Sequence, residues 1–430
     1  VPFGRRLKTG IVMALGEGSE FPRDKLKQVR QTLDATPLLS PDDLWLIRFI
    51  SEYYHHPIGE VAAAALPALL RQGKPLVPRR QCLVLTEAGR SLDPDTLAGR
   101  APKQAMLLQA VADQSPIGFD TLDSRLPGWR RTRKALIDKG LIEEIETAGE
   151  TCREPADTAG EQQDGPVLNA DQRRALDTIR ETDGFRVTLL DGVTGSGKTE
   201  VYLHLIRETL EAGRQVLVLA PEIGLTPQLV RRFQRRLGIE PMLLHSGLTD
   251  TARLDAWRAA RSGNAPLIVG TRSAVFVPLM KPGLIIVDEE HDASLKQQEG
   301  LRYSARDMAV ARGKKLDIPI VLGSATPSLE SLQRCEDGAY RHVQLPVRAG
   351  GALPPLMRLV DLTRFDAFDG LSEPVVDAIG RHLADGGQVL VFLNRRGFAP
   401  TLICGSCGRI AECPRCDSRM TVHAASNLLK

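Results

Sequence analysis

The chain has 430 residues, 42% hydrophobic and 25% charged, ordinary for a globular protein and enough for about two to four separate cores. Its 56 basic and 53 acidic residues leave a net charge of +3, so bulk charge does not signal nucleic acid and only local clustering can. The longest apolar stretch near the start, residues 61–70, is interrupted by Pro67 and too short to span a bilayer, so a cytoplasmic protein with no membrane partner is expected.

The chain opens on Val1-Pro2-Phe3-Gly4, ends on Leu428-Leu429-Lys430, and reads as cut at both ends. Residues 1–36 read as strand pieces, residues 10–15 among them, separated by glycine and charged turns. Helices are expected over residues 41–55 and 58–71, with Ser40 or Asp42 as N-cap of the first. Residues 101–146 read as helix, short helix, basic helix and strand. The basic helix carries Arg130, Arg131, Arg133, Lys134 and Lys139 and stops at Gly140. That is the order of a winged helix; a helical spacer with a solvated face accounts for it equally. Residues 147–166 are Gly-, Glu-, Asp-, Thr- and Pro-rich and read as a linker. Beyond them, short apolar runs starting at Val187, Val216, Met242, Leu267, Leu284, Ile318 and Val389 alternate with helical stretches. That rhythm predicts an α/β fold with a parallel sheet buried on both faces.

The strongest chemical signal is Gly192-Val193-Thr194-Gly195-Ser196-Gly197-Lys198-Thr199, which fits G-x-x-x-x-G-K-[ST]. Glycines let backbone N–H groups turn toward phosphates, Lys198 reaches the β- and γ-phosphates, and the Thr199 hydroxyl suits magnesium. ATP and magnesium are therefore the expected ligands. A second run, residues 284–291, ends an apolar strand in Asp288-Glu289-Glu290-His291. Asp288 suits the magnesium shell, and Glu289 can orient and deprotonate an attacking water. A third, Gly323-Ser324-Ala325-Thr326-Pro327, is a strand-end turn of small hydroxyl residues fit to link nucleotide and strand. Asn169 N-caps a helix, and the Gln172 amide is expected on the adenine edge. Arg231, Arg232, Arg235 and Arg236 line one face of a helix after the second strand; they can track a phosphate backbone or form a solvated face. Cys404-x-x-Cys407 and Cys413-x-x-Cys416 are two knuckles of the zinc-thiolate type. Their short separation predicts that each seeks a partner beyond Lys430, giving interleaved sites.

Together these runs closely resemble PriA-type helicases of superfamily two. The resemblance is carried further by Ala220-Pro221-Glu222-Ile223-Gly224-Leu225-Thr226-Pro227, His245-Ser246-Gly247 and Gly270-Thr271-Arg272-Ser273-Ala274. It extends through Lys296-Gln297-Gln298-Glu299-Gly300 with Arg302-Tyr303, and through Phe392-Leu393-Asn394-Arg395-Arg396-Gly397. The resemblance implies a RecA-like helicase lobe, preceded by a partial β-barrel DNA-binding domain and a winged helix, and followed by the start of a second lobe with a zinc-binding insertion. The implied divisions are 1–98, 99–148, a linker at 149–166, 167–350 and 351–430. It implies an ATP-dependent 3′-to-5′ DNA helicase that recognises stalled forks, unwinds the lagging-strand duplex and starts primosome assembly; a fork-binding scaffold with a secondary ATPase is the alternative. Forked DNA with a 3′ end, single-strand-binding protein and primosome proteins are the implied partners, and two zinc ions the implied metals. Gly4 and Lys27 are implied at the 3′ end. Arg272, Lys296, Arg302, Tyr303, Ser324, Thr326, Arg395 and Arg396 are implied at DNA or in its coupling to ATP. The chain departs from the pattern in the coupling loop, where Leu295 and Leu301 stand in place of aromatics and Tyr303 alone remains. The barrel's opening strands are missing, and residues 351–430 hold no Gln-x-x-Gly-Arg run.

Overall fold

The computed structural model describes residues 1–3, 6–18, 21–76, 79–92, 94–148, 165–181, 184–221, 227–349, 351, 355–362, 364–365, 367–368, 370–392, 402, 404, 407–416, 419–420, 422–423 and 428–429. These fall into two compact units, Val1–Ala352 and Leu353–Lys430.

Near the start, Pro2–Phe3 pairs with Arg6–Leu7 in a short antiparallel ladder. Residues 10–15, read above as a strand, are irregular. Ile11 and Met13 lie against the core and Val12 is exposed, but the alternation ends at Leu15, which is 93% exposed, and among the described residues no neighbouring strand takes up the backbone groups. Helix α1, Pro41–Tyr53, begins in a capping box in which the Ser40 hydroxyl accepts from the Asp43 N–H while Asp43 accepts from the Ser40 N–H. The second expected helix is broken: α2 covers Ile58–Ala65 and a single turn covers Ala68–Arg71, because Pro67 lacks an N–H and turns Leu66 extended.

A small module follows. Strand β1 (Arg79–Leu85) is the centre of a three-stranded antiparallel sheet flanked by β2 (Ile117–Gly118) and β3 (Ile142–Ala148). Helices α3 (Pro102–Asp113), α4 (Phe119–Arg125) and α5 (Trp129–Asp138) pack on it through Leu107, Leu108, Leu122, Trp129 and Leu136. The module thus takes its central strand from upstream of residue 99. The expected linker at 149–166 lies outside the described residues except for its last two.

Seven parallel strands form the main sheet: β4 (Val187–Gly192), β5 (Gln215–Leu219), β6 (Met242–Leu244), β7 (Leu267–Gly270), β8 (Pro282–Val287), β9 (Ile320–Ser324) and β10 (Arg341–Leu345). Their spatial order is β10-β4-β9-β8-β5-β7-β6. The inner strands bury side chains on both faces, which is why their sequences are continuous apolar runs. One face packs on α6 (Ala170–Arg180), α7 (Lys198–Glu211) and α8 (Pro227–Leu237). The other packs on α9 (Asp250–Ser262) and α10 (Ala305–Leu316), and its core continues without a break into Leu46, Ile47, Ile50 and Val61 of α1 and α2.

Strand β10 is not among the apolar runs read from the sequence. The run at Val389, within the expected second lobe, forms no strand over described residues 389–392, where Leu390 and Phe392 are 93% and 82% exposed. An apolar run without a partner strand has nothing to pair its backbone. The second unit holds a helix at Glu373–Ala384 and short ladders at Ala367–Phe368 with Leu371–Ser372 and Val422–His423 with Leu428–Leu429.

Candidate nucleotide and nucleic-acid site

Strand order positions the chemistry. Sequence places β4, β8 and β9 far apart, but β9 lies between the other two. The loop after β4, the acidic run after β8 and the Ser-Ala-Thr-Pro turn after β9 therefore meet at the carboxyl edge of one sheet, where such sheets bind ligands.

A cavity of ≈ 570 Å³ opens there, lined by residues including Gln172, Ser196, Lys198, Arg232, Asp288 and Glu289. Gly192, Val193, Thr194, Gly195, Ser196, Gly197, Lys198 and Thr199 form the loop beneath it. Gly197 has φ +84°, and a Cβ there would lie 2.3 Å from the Gln172 amide nitrogen, so only glycine fits. The Lys198 ammonium donates back to the Gly192 carbonyl at 2.7 Å, and the Ser196 hydroxyl is buried without a hydrogen-bond partner among the described residues. A buried hydroxyl without an acceptor, beside an ammonium folded back onto the loop's own carbonyl, fits a phosphate chain. The loop is clamped from outside as well: the Val193 N–H donates to Leu345 of β10 and the Ala349 N–H to Gly195.

Gln172 is buried. Its amide oxygen accepts the Asn169 N–H at 3.0 Å and its NH₂ donates to the Ser196 carbonyl at 2.9 Å. It ties the helix cap to the phosphate loop rather than presenting a free edge to a base.

Asp288 accepts from the Tyr202 hydroxyl at 3.0 Å. Burial, and then the neighbouring Glu289 charge, raise its carboxyl above the ordinary value, while Tyr202 and Lys198 pull it back. A Cβ on Gly323 would collide with that tyrosine hydroxyl, so β9 needs glycine at this point. Glu289 has φ +47°, a costly conformation for a non-glycine residue, and lies partly open to the cavity. Glu290 is turned the other way and buried. It accepts from the Ser328 N–H at 2.7 Å, Ser331 Oγ at 2.9 Å, Arg306 Nη1 at 2.9 Å and Ser328 Oγ at 3.1 Å. His291 contacts Ser324 Oγ at 2.7 Å and Thr326 Oγ1 at 3.3 Å, joining acidic box and turn directly.

The arginine face of α8 is not wholly outward. Arg231 and Arg235 are exposed, but Arg232 and Arg236 converge on Glu200 of α7 at 2.9 and 2.6 Å. The sequence reading, which left this face to a phosphate backbone or to solvent, missed a carboxylate supplied by the neighbouring helix.

The coupling loop hangs from several points. Arg272 donates to the carbonyls of Ser294 (3.0 Å) and Lys296 (3.3 Å), Lys296 bridges Ser304, and the Ser304 N–H donates to the Tyr54 hydroxyl at 3.0 Å. Tyr303, expected as a coupling aromatic, is 4% exposed and meets Phe276 edge-on, with burial raising its phenol to about 12. Its ring is core and offers no face to a strand. Lys296, Arg302 and Thr326 are exposed, Ser324 is buried, and Lys27 is exposed in an irregular stretch. Gly4, Arg395 and Arg396, with residues 222–226, lie outside the described residues.

In the second unit, Cys404, Cys407 and Cys416 are exposed and Cys413 is partly buried. The Cys404 N–H donates to Arg409 and the Gly408 N–H to Cys404, so the first pair sits in a tight turn; the second lies inside a turn closed by the Glu412–Arg419 bridge. Among the described residues no three His, Cys, Asp or Glu side chains gather in a set able to hold a metal. No helix among those residues is long and apolar enough to cross a membrane.

Sequence reading also missed Tyr202, Arg306 and the clamp from Leu345 and Ala349. None lies in a recognisable motif, although Tyr202 stands four residues after Lys198 on the same helix face.

A DEAD/DEAH box helicase model matches residues 169–335, and a 3′DNA-binding domain (3′BD) model matches residues 1–67. Replication restart protein PriA of Haemophilus influenzae is 42% identical over 100% of this chain and 59% of its own length. The Bacillus subtilis protein of that name is 33% identical over 100% of this chain and 62% of its own. The chain therefore spans about three-fifths of the curated relatives it matches.

Proposed function

The chain belongs to the PriA family of replication restart proteins, and from that premise we propose that it is the ATP-binding portion of an ATP-dependent 3′-to-5′ DNA helicase that acts at stalled forks. The observation that carries this reading is the meeting of Lys198, Asp288 and Glu289 over one cavity, with a buried Ser196 hydroxyl in need of an acceptor and the Ser324 turn joined to the acidic run through His291. In this reading the loop N–H groups and Lys198 bind the β- and γ-phosphates, and Thr199 and Asp288 hold magnesium. The metal, when bound, offsets phosphate charge. Glu289 orients the attacking water and takes its proton. Its neighbour Glu290 is already saturated with donors and serves as a strut.

Residues 1–67 supply contacts to a DNA 3′ end, Lys27 and Gly4 among them, and 79–148 act as a winged helix with α5 as its basic helix. Lys296, Arg302, Thr326, Arg395 and Arg396 contact the strand; Arg272 shapes the loop that bears Lys296. Residues 351–430 begin a second lobe with a zinc-binding insertion, each cysteine knuckle supplying half a ligand set. Single-strand-binding protein and primosome proteins are the proposed partners, and the cytoplasm the proposed location.

Nucleotide titration of the chain and its Lys198→Ala variant tests the assignment. ATP-magnesium binding should vanish in the variant while the fold and DNA binding persist. Equal affinity for both forms would refute it. A protein acting only as a fork scaffold would keep loading its partners after this substitution; a motor would not.

A further inference from the structure

Glu200 is the third residue of α7, immediately after Thr199, and its side chain is 4% exposed. A carboxylate so placed needs cationic partners, and it has two. Arg236, with a side chain 10% exposed, donates to one oxygen at 2.6 Å, and Arg232 donates to the other at 2.9 Å. The two differ in where the rest of the guanidinium goes. Arg236 is buried, whereas half of the Arg232 side chain is open and it lines the cavity over the phosphate loop.

We infer that Arg232 is a nucleotide-binding residue for the adenosine part of ATP, held in place by Glu200. This rests on the reading of the cavity as an ATP site. The phosphates already have their cation in Lys198 and their N–H groups in the loop, and Asp288 and Glu289 at the strand ends provide for metal and water. Arg232 enters from α8 and shares the lining with Pro166, Val167 and Gln172, none of which suits a phosphate. Val167 is 92% exposed, an apolar side chain beside the cavity with no cover of its own. A purine ring is flat and apolar on its faces. It can lie against an aliphatic side chain on one side and a planar guanidinium on the other. Glu200 offsets part of the Arg232 charge, leaving a planar stacking surface rather than a strong point charge. It also ties that surface to the first turn of the helix that grips the phosphates. Arg232 acts on the nucleotide directly, and Glu200 is a positioning residue that acts through it.

Calorimetric titration of the parent chain, Arg232→Ala, Arg232→Lys, Glu200→Gln and the Glu200→Gln/Arg232→Ala pair with ATP, ADP and inorganic tripolyphosphate tests this. Arg232→Ala should weaken ATP and ADP by the same factor, roughly 2- to 30-fold, as expected for a guanidinium–ring contact. Tripolyphosphate should bind both forms alike. Lysine should not restore affinity, because it has no planar face. Glu200→Gln should weaken both nucleotides in the parent background but add nothing to Arg232→Ala. Unchanged ATP and ADP affinity in Arg232→Ala, while Lys198→Ala abolishes binding, would overturn the inference and leave the ATP site standing. So would a loss confined to ATP and tripolyphosphate, or full rescue by lysine. If Lys198→Ala itself binds ATP like the parent, the ATP reading beneath both fails.

Discussion

Replacing Glu290 with glutamine should destabilise the helicase lobe without touching the reacting groups. The side chain is fully buried, and its two oxygens carry unequal loads: Oε1 takes the Ser328 N–H, while Oε2 takes Arg306 Nη1, Ser328 Oγ and Ser331 Oγ. A glutamine oxygen can occupy only one place. Set at Oε2, it leaves an NH₂ facing the Ser328 N–H at 2.7 Å, donor against donor. Set at Oε1, it strands three donors. Either way Arg306, itself 18% exposed, loses the buried one of its two carboxylate partners and keeps only Asp307, at 2.9 Å. Serine hydroxyls can rotate to relieve part of this, so the cost falls near the low end of the about 3–5 kcal/mol typical of removing one partner from a buried pair. For a lobe of this size that is a drop of roughly 6–12 °C in melting temperature. The pH dependence has a definite sign. Burial alone would raise the Glu290 carboxyl, but donation from Ser328, Arg306 and Ser331 outweighs it and holds the group below its ordinary value. A depressed folded-state pKa stabilises above the unfolded value, and that contribution disappears as pH falls through the folded one. The gap between parent and Glu290→Gln should thus be full above the ordinary glutamate value of about 4.3 and narrow as pH falls below it. Thermal melts followed by circular dichroism decide it. A shift under about 2 °C, or a gap that stays constant into acid, would refute the argument that Glu290 is a charged strut.

In the protein at the full length of its relatives, Glu289→Gln should bind ATP like the parent and hydrolyse it about 10²- to 10⁴-fold more slowly, measured as phosphate release in single turnover. Hydrolysis at the parent rate would mean another group activates the water. Metal analysis of that same protein should return two zinc ions, and Cys404→Ser should cost one of them; a single zinc bound by these four sulfurs would contradict the interleaved arrangement.

Much of the site was legible because its groups are consecutive in sequence. A phosphate loop needs glycines, lysine and threonine at fixed spacing, and it needs a strand before and a helix after; all stand within residues 187–211. The acidic box and the Ser-Ala-Thr-Pro turn are likewise short runs after apolar strands. What escaped was made by neighbours in space. Glu200 draws in Arg232 and Arg236 from another helix, so a face of α8 that reads as basic is half spent internally. Strand β10 reads poorly because it is an edge strand that opens on Arg341 and whose exposed His342 and Gln344 alternate with Val343 and Leu345. The residues around Val389 have the reverse character, a good apolar run with no described strand to pair with. Tyr303 fits a loop aromatic by position, but Phe276 and Arg272, from a segment about 30 residues earlier, enclose it.

The N-terminal segment bears on how the lobe works. Residues 37–71 precede the nucleotide-binding strands by more than a hundred positions, yet they complete one face of the main sheet. Their attachment is polar as well as apolar. Trp257 donates to the Ala65 carbonyl, Arg261 to those of Pro37 and Leu38, and Arg312, buried, sits 3.6 Å from Asp43 while donating to Val275 and Val277. Most of these bonds use carbonyls that a loop would otherwise leave to water, so separating the segment from the lobe would expose both apolar surface and buried donors. The Tyr54 hydroxyl extends the attachment to the coupling loop, because the Ser304 N–H it accepts belongs to the N-cap of α10. Two residues into that helix, Arg306 binds Glu290, the neighbour of the proposed water-activating Glu289. An unbroken run of hydrogen bonds and covalent links therefore joins the end of α1 to the acidic box. Residues 1–67 match a DNA-binding domain model, and the last of them are built into the structure that holds the box in place.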